Sequence, residues 1–470
     1  MLFAKEVKIM RKTEMKYMLG LKMRAFPNHK QKKIIKKNTD ASRFVYNQLL
    51  ANSYTDSAIH RNKLDKKYPI PKYTVRFNRI KKCFIVHQNW RYNKKGTLIT
   101  KSTKRKTGLD RITADKYPWL GDKDLDSLTA YNAQINYQSA WKTFRQVHDA
   151  GVPKFKRKSA SKQSYSTNCQ YVGLDKKHGE VPNLFNGTVR FLKQNPHGYC
   201  HIKLPKLGKI KVYLSKELPK AKEIRIARVT ISVHSSGEYY ISMLIKSNDP
   251  LASLYPKTGS ALGYDLNIKN FLIDTNGNEV ANPKYYRRMR DKLAKEQRIL
   301  SRRCRRAKKT KHKLSECKNY QKQKLKVAQL YRRIYRQRNA FLHNLSTALI
   351  KNHDLVVGEN LKSRNMLKNH ALAMSISDVG WRTFIGMLEY KAPLHGKTFV
   401  LVNPAYTTQT CYDCKFVMGK KGTKKLTLQM REWDCPNCNA HHIRDYNAAK
   451  NILGKGYMAL KIPDYEYKFS

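Results

Sequence analysis

Hydrophobic and polar positions change their period several times along the chain, and each change predicts an element. Residues 14–26 (EMKYMLGLKMRAF) read as a strand, ended by Pro27-Asn28. From 29 to 55 the spacing becomes helical, with Ile34, Ile35, Val45, Leu49 and Leu50 recurring among Lys and Arg. The stretch 60–116 is basic and irregular, carries the run KSTKRKTG at 101–108, and reads either as a mobile arm or as a basic insertion. Helical spacing returns from Asp122 to His148, with Leu125, Leu128, Tyr131, Ile135, Trp141 and Phe144 as apolar candidates. After Gly151-Val152-Pro153 come short runs rich in β-branched and aromatic residues: TVRFL, YCHIKL, KIKVYL, EIRIARVTISV and EYYISMLIK. They predict a small antiparallel sheet or barrel over about 153–247.

The segment 247–260 reads as a linker. ALGYDLNIKNFLIDTNGNEV, which follows, has the pattern of a hairpin, two strands joined near Thr275-Asn276-Gly277. Residues 284–350 form a long helical region whose later half keeps an apolar stripe at Leu330, Ile334, Phe341, Leu345 and Leu349, with Arg338 on the same stripe. Strand 354–359, a helix around 377–391, strand 397–403 and a helix opening at Asp445 complete an α/β arrangement.

Charge narrows the function. The 470 residues hold 96 Lys+Arg against 33 Asp+Glu, a net +63, while 40% hydrophobic residues suffice for packed cores. Such self-repulsion opposes compaction unless a polyanion neutralises it, so nucleic acid is the expected partner. Within 281–340, 23 Lys/Arg face 3 Asp/Glu, a run that is either a solvated face or a phosphate-facing surface. No apolar run approaches the ~20 residues that span a bilayer, and MLFAKEVKIMRKTEMKYM is too interrupted by charge for a secretory signal. Nine cysteines, four of them in two tight pairs, suit a reducing intracellular compartment better than a disulfide scaffold.

Those pairs, Cys411/Cys414 and Cys435/Cys438, give C-x2-C-x20-C-x2-C. Each pair presents two thiolates to one tetrahedral ion at about 2.3 Å, and four fill the shell, so a structural Zn²⁺ site is expected. His441 and His442 lie close by, but four thiolates leave no vacancy. Three acids end predicted core elements: Asp265 in the first strand of the 261–280 segment, Glu359 after Leu355-Val356-Val357-Gly358, and Asp445 at the start of the last helix. Singly, each has a plain alternative, as partner of a lysine, strand-end residue or helix N-cap respectively. Together they form a hard-oxygen site suited to two Mg²⁺ ions able to activate water and stabilise the leaving 3′ oxygen of a phosphodiester. Asp274 and Asp378 fit a hairpin turn and a helix start.

Gly263-Tyr264-Asp265-Leu266, Gly358-Glu359-Asn360-Leu361 and Arg444-Asp445-Tyr446-Asn447-Ala448-Ala449 resemble the three catalytic blocks of the TnpB family, transposon-encoded RNA-guided DNA nucleases related to compact type V CRISPR effectors. Further similar stretches are Arg43-Phe44-Val45-Tyr46-Asn47, Tyr117-Pro118-Trp119-Leu120, Pro153-Lys154-Phe155-Lys156, Leu204-Pro205-Lys206-Leu207-Gly208 and Tyr406-Thr407-Thr408-Gln409-Thr410-Cys411. The resemblance implies an α+β multidomain protein. Its parts would be a β-barrel wedge domain (1–27 and 151–255), a helical recognition lobe (28–150), and an RNase H-like (RuvC) nuclease domain (256–408 and 441–470) with an inserted zinc ribbon (409–440). It implies Asp265, Glu359 and Asp445 as Mg²⁺-binding catalytic residues. It also implies a structured guide RNA, double-stranded target DNA beside a short flanking motif, a displaced single strand, staggered cleavage of both strands by one site, and a cytoplasmic, nucleoid-associated protein. Monomer and homodimer are both open. Ile443 stands where the family usually carries an acid, and the basic stretch 60–116 is longer than is typical. The latter leaves open whether the guide is a transposon-end or a CRISPR-type RNA. A nuclease-inactive guide-directed repressor and a strand-transferring transposase are the alternatives.

Overall fold

The computed structural model describes residues 15–55, 73–78, 83–88, 112, 115–147, 150–174, 180–193, 196–361, 370–420, 422–427 and 429–462. Most of the basic stretch 60–116 lies outside the described residues; within it, β2 (Tyr73–Asn78) and β3 (Cys83–Gln88) pair antiparallel. The chain forms two compact units, Met1–Leu251 and Ala252–Ser470. Among the described residues no helix is long and apolar enough to cross a membrane.

In the first unit β1 (Tyr17–Phe26) alternates cleanly, burying Leu21, Met23 and Ala25 while exposing Lys22, Arg24 and Phe26. It lies inside a seven-stranded antiparallel sheet of order β4-β8-β9-β1-β7-β6-β5, made with β4 (Lys162–Thr167), β5 (Arg190–Phe191), β6 (Gly198–Leu204), β7 (Gly208–Leu214), β8 (Arg225–His234) and β9 (Tyr239–Ser247). Its inner face, including Ile202, Ile210, Val212, Ile241 and Ile245, forms one core cluster. Among the described strands, β4 and β5 remain edges, so of the two forms the texture allowed, an antiparallel sheet or a barrel, the structure has an open, half-barrel sheet. Helix α1 (His29–Thr55) starts with a reciprocal cap: Gln31 N–H donates to Asn28 Oδ1 and Asn28 N–H to Gln31 Oε1. Helix α2 (Leu128–Gln146) packs on α1 through Ala133, Val45 and Leu49. Part of its buried face is polar. Tyr131 is exposed, whereas Thr129 donates to the buried Asn38 Oδ1 at 3.0 Å.

The second unit is built on a five-stranded sheet of order β12-β11-β10-β13-β14. Strands β10 (Ala261–Asp265), β13 (Leu355–Glu359) and β14 (Thr398–Val402) run parallel, and β11 (Asn270–Asp274) and β12 (Glu279–Ala281) extend β10 antiparallel. The expected two-strand hairpin is thus a three-strand meander: the Thr275–Gly277 turn joins β11 to β12, and an earlier turn separates β10 from β11. The long helical region is two helices, α3 (Tyr285–Lys309) and α4 (Lys318–Asn352), and the helix expected around 377–391 is also two. Gly380, at φ 76°, breaks α5 (His370–Val379) from α6 (Trp381–Leu394). Arg338 of α4 donates to the Ser377 carbonyl at 2.8 Å near the end of α5. Helices α4 and α6 cover one face of the sheet, and α7 (Arg444–Leu460) covers the other. Between β14 and α7 lies the cysteine-rich insertion, with the ribbon β15 (Glu432–Asp434) and β16 (His441–Ile443) around the buried Trp433.

Candidate active site and cysteine cluster

Strand alternation decides which residues can meet α7. Leu262, Tyr264 and Val356 pack into the layer with α4 and α6, whereas Ala261, Leu355 and Val357 pack against Ile452, Leu453 and Tyr457 of α7. Asp265 and Glu359 share the phase of the second set, so they fall on the α7 side. Because β10 and β13 pair in parallel with Gly263 opposite Val357, the same register carried two residues on sets Asp265 beside Glu359. Both stand at the C-terminal ends of adjacent strands, where open α/β sheets bind ligands. Asp445 is the second residue of α7; Ile443 is the N-cap, so capping does not account for this acid.

All three carboxylates are nearly covered, at 8%, 6% and 9% exposure for Asp265, Glu359 and Asp445. Burial, then the charges of Glu359 and Asp445, push the Asp265 carboxyl up to about 8, against a smaller opposing effect of Arg444. Burial raises Glu359 as well, while its hydrogen bond from Thr407 and the charge of Lys455 hold it down. Asp445 is tethered by Asn267 Nδ2 at 3.3 Å, Arg444 Nε at 3.3 Å and Arg431 Nη1 at 3.5 Å. Among the described residues, the groups whose ligand atoms all lie within 4.8 Å of one another are the four cysteines and the overlapping Cys411, Asp413 and His442. The three carboxylates are spread more widely than that. Asp274 serves its turn by accepting from the Asn276 and Asn278 N–H groups, both at 2.9 Å. Asp378 does not start its own helix. It sits in the last turn of α5 and accepts from Tyr286 N–H at 2.9 Å, capping α3 instead.

Cys411, Cys414, Cys435 and Cys438 come together as their spacing predicts, with Sγ atoms 3.6 Å apart for Cys411–Cys438 and 3.5 Å for Cys414–Cys435. This donor set fits a zinc ribbon. The backbone N–H of Phe416 is the main cause that draws the Cys414 thiol down to about 6, whereas burial pushes the Cys411 thiol up. His442 is buried with Nε2 3.0 Å from Cys411 Sγ, whereas His441 is exposed and pairs with Asp434. Sequence reasoning quoted Thr407 and Asn447 within family-like stretches but gave them no role, and it singled out neither Asn451 nor Lys455. The signal was present in the last three, polar residues at four-residue intervals down one helix face. Thr407 has no such periodic signature.

Three family models match the chain. "Cas12f1-like, TNB domain" covers residues 381–452, "Probable transposase" covers 243–370, and "Helix-turn-helix domain" covers 15–55. In that last range the structure has one strand and one helix. Among curated proteins, the "Putative RNA-guided DNA endonuclease" of Streptomyces pristinaespiralis is 38% identical over 246 residues, 52% of this chain and 56% of that protein. InsQ of Escherichia coli K12, of the same description, is 30% identical over 55% of this chain and 62% of its own length. The "TnpB-like protein MJ1635" of Methanocaldococcus jannaschii is 29% identical over 27% of this chain and 30% of its own length. The chain thus spans about three fifths of the first two relatives. Among solved structures, a Cas12f1–sgRNA–target DNA complex aligns over 93% of this chain and 98% of that one, at 12% identity and TM-score 0.43.

Proposed function

The chain is TnpB-like, and from that premise we propose that it is an RNA-guided, Mg²⁺-dependent DNA endonuclease whose acid site is Asp265, Glu359 and Asp445. The observation that carries the reading is that Asp265 and Glu359 end adjacent parallel strands, each two residues beyond the paired Gly263 and Val357, on the face covered by the helix that Asp445 opens. Three buried oxygen donors fit divalent cations, and burial with the charges of Glu359 and Asp445 disfavours the ionised Asp265 that a bound cation would stabilise. Mg²⁺, when bound, supplies activation of water and neutralisation of charge developing on the phosphodiester. The chain's own residues do the rest. Arg431, half exposed beside Asp445, is placed to meet a phosphate oxygen, and Thr407 and Lys455 hold Glu359 and the loop beneath it. Four thiolates would hold structural Zn²⁺ in the insertion.

Several surfaces support nucleic-acid partners. The net charge is +63, and α3 buries only Leu293, Glu296 and Ala307, leaving its basic remainder turned outward. On the outer face of the first unit's sheet, Tyr240, Arg24, Tyr213 and Tyr199 make one cross-strand row. Lys22 lies over the Tyr240 ring at 4.9 Å and Lys211 over Tyr199 at 4.6 Å. Cations interleaved with exposed rings suit backbone phosphates and unstacked bases. A groove of about 1230 Å³ beside Arg43, Lys154, Phe155 and Lys156 has the same chemistry. In this reading 1–27 and 151–255 form the wedge, 28–150 the recognition lobe, 256–408 and 441–470 the RuvC-like nuclease, and 409–440 the zinc ribbon. The partners are a structured guide RNA, of transposon-end or CRISPR type, and a DNA duplex opened beside a short flanking motif.

The decisive experiment expresses the chain with its native genomic flanks, sequences the copurifying RNA and assays the complex with Mg²⁺. Asp265→Asn, Glu359→Gln and Asp445→Asn should each lower cleavage about a hundredfold or more while target binding survives. Full cleavage by all three variants would remove the site. Binding without cleavage by the parent chain would favour the repressor, and joined strands the transposase.

A further inference from the structure

Hydrogen bonds behind Glu359 run along one face of α7 to the backbone on either side of Cys411. Asn447, Asn451 and Lys455 lie four residues apart on one face of α7. Asn447 Nδ2 donates to Thr410 O at 2.8 Å, and its Oδ1 accepts from the Tyr412 N–H at 2.9 Å. Asn451 Nδ2 donates to Thr410 O at 2.6 Å and Thr407 O at 3.0 Å. Lys455 Nζ donates to Ala405 O at 2.6 Å and Asn403 O at 3.1 Å. This face therefore grips the backbone from Asn403 to Tyr412, the connection that leaves β14 and enters the first cysteine pair. At its centre the buried Thr407 hydroxyl donates to Glu359 Oε1 at 2.5 Å. At its end Cys411 closes the cluster, its N–H bonded to Phe416 O at 2.8 Å.

We propose that Thr407, Asn447 and Asn451 are positioning residues that couple order in the cysteine cluster to the geometry of the carboxylate site. The inference rests on the acid-site reading above and adds a dependence that reading does not contain. Side chains of α7 take the carbonyls of Asn403, Ala405, Thr407 and Thr410, while Tyr406 O accepts from the N–H groups of Gln409 and Thr410 within the loop and Thr410 bridges to Val417 beside the first cysteine pair, so α7 and the cysteine insertion hold this connection together. If the cluster loses its ion, Tyr412 and Thr410 lose their anchor at one end, and Thr407 no longer holds Glu359 in its rotamer. Groups that orient ligands in this way commonly alter metal affinity by about 10–100-fold. Asn447 and Asn451, nearly fully buried at 1% and 7% exposure, have no other described role on that face.

The test uses the full-length chain and reads metal binding instead of cleavage, with Mn²⁺ as a paramagnetic probe of the acid site and zinc content measured separately. Thr407→Val keeps the shape and removes the hydroxyl. It should weaken Mn²⁺ binding about tenfold with zinc content and thermal midpoint unchanged, and Thr407→Ser should restore it. Stripping zinc from the parent chain, with the chelator then dialysed away, should weaken Mn²⁺ binding to a similar degree. The same treatment of Thr407→Val should add less than a twofold further loss, since the connection is already cut. Asp265→Asn is the reference. If it weakens Mn²⁺ binding while Thr407→Val and zinc removal do not, the coupling is wrong and the acid site stands. If Asp265→Asn also leaves Mn²⁺ binding unchanged, the acid site falls and the coupling with it. Independent, additive losses from zinc removal and Thr407→Val would likewise overturn the proposal.

Discussion

Gly263 lies two residues before Asp265, and a Cβ there would stand 2.5 Å from Ala449 O and 2.8 Å from Leu453 Cβ. Gly456, on the helix side of the same contact, would place a Cβ 2.4 Å from Val357 Cγ2. Neither clash can be relieved by turning a flexible side chain, because backbone or branched core atoms stand in the way. The two glycines, with the fully buried Ala448 and Ala449, bring α7 down onto β10 and β13 and so bring Asp445 to the other acids. Gly263→Ala should therefore destabilise the protein by about 1–3 kcal/mol in denaturant unfolding. Gly20→Ala, on the open face of β1 with nothing within 4 Å, should stay within about 0.5 kcal/mol of the parent. Equal effects at the two sites would show that α7 does not sit this close. Gly263 was visible in the sequence as part of a motif and Gly456 was not, and a missing side chain carries no sign of what approaches it.

At the scale of elements, the starts of β10 and β13 are pinned to each other. Ser260 Oγ and His353 Nδ1 are hydrogen-bonded at 2.7 Å. Asp354 accepts from the N–H groups of Thr258 at 2.9 Å and Gly259 at 2.8 Å, and pairs with the buried Lys397. Burial draws the His353 pKa below its usual 6.5, with Lys397 acting in the same direction and Asp274 and Asp354 opposing. A base whose folded pKa is depressed is neutral in both states above the unfolded value. Below it the unfolded chain takes up the proton first. Stability should thus fall as pH drops from about 6.5 toward the folded value, by at most about 1.4 kcal/mol per pH unit for one proton. Urea melts between pH 8 and 5 check this, with His353→Gln losing that part of the slope; an identical slope in the variant would refute it.

The same elements show what could be read beforehand. Strands β1, β10 and β13 and the cysteine spacing were legible because a strand-like run and a metal-ligand spacing are local patterns. The open sheet edges, the extra strand at 270–274 and the buried Asn38–Thr129 contact were not. Each depends on partners distant in sequence, and the last inverts the rule that buried means apolar. Asp265 and Glu359 were legible as strand residues and Asp445 as a helix start, but the wider spacing they keep, and Thr407 behind Glu359, belong to three-dimensional packing alone.

For the whole molecule, the excess charge governs association. An RNA-free preparation should bind any nucleic acid, with log K falling about 0.9 per phosphate contact per decade of salt. Once a guide RNA has neutralised much of the +63, DNA binding by the complex should show a distinctly shallower slope. Filter binding across a salt series, with and without RNA, decides this; equal slopes would mean the RNA is not the counter-charge. The order in which the acids appear along the chain has its own effect during synthesis. The first unit ends at Leu251, and Asp445 emerges 194 residues later (445 − 251), about 10–40 s at bacterial elongation rates. A nascent chain can therefore present its first basic unit to RNA well before the third carboxylate exists. The positive charge that suits a polyanion is thus in place before the three acids can assemble.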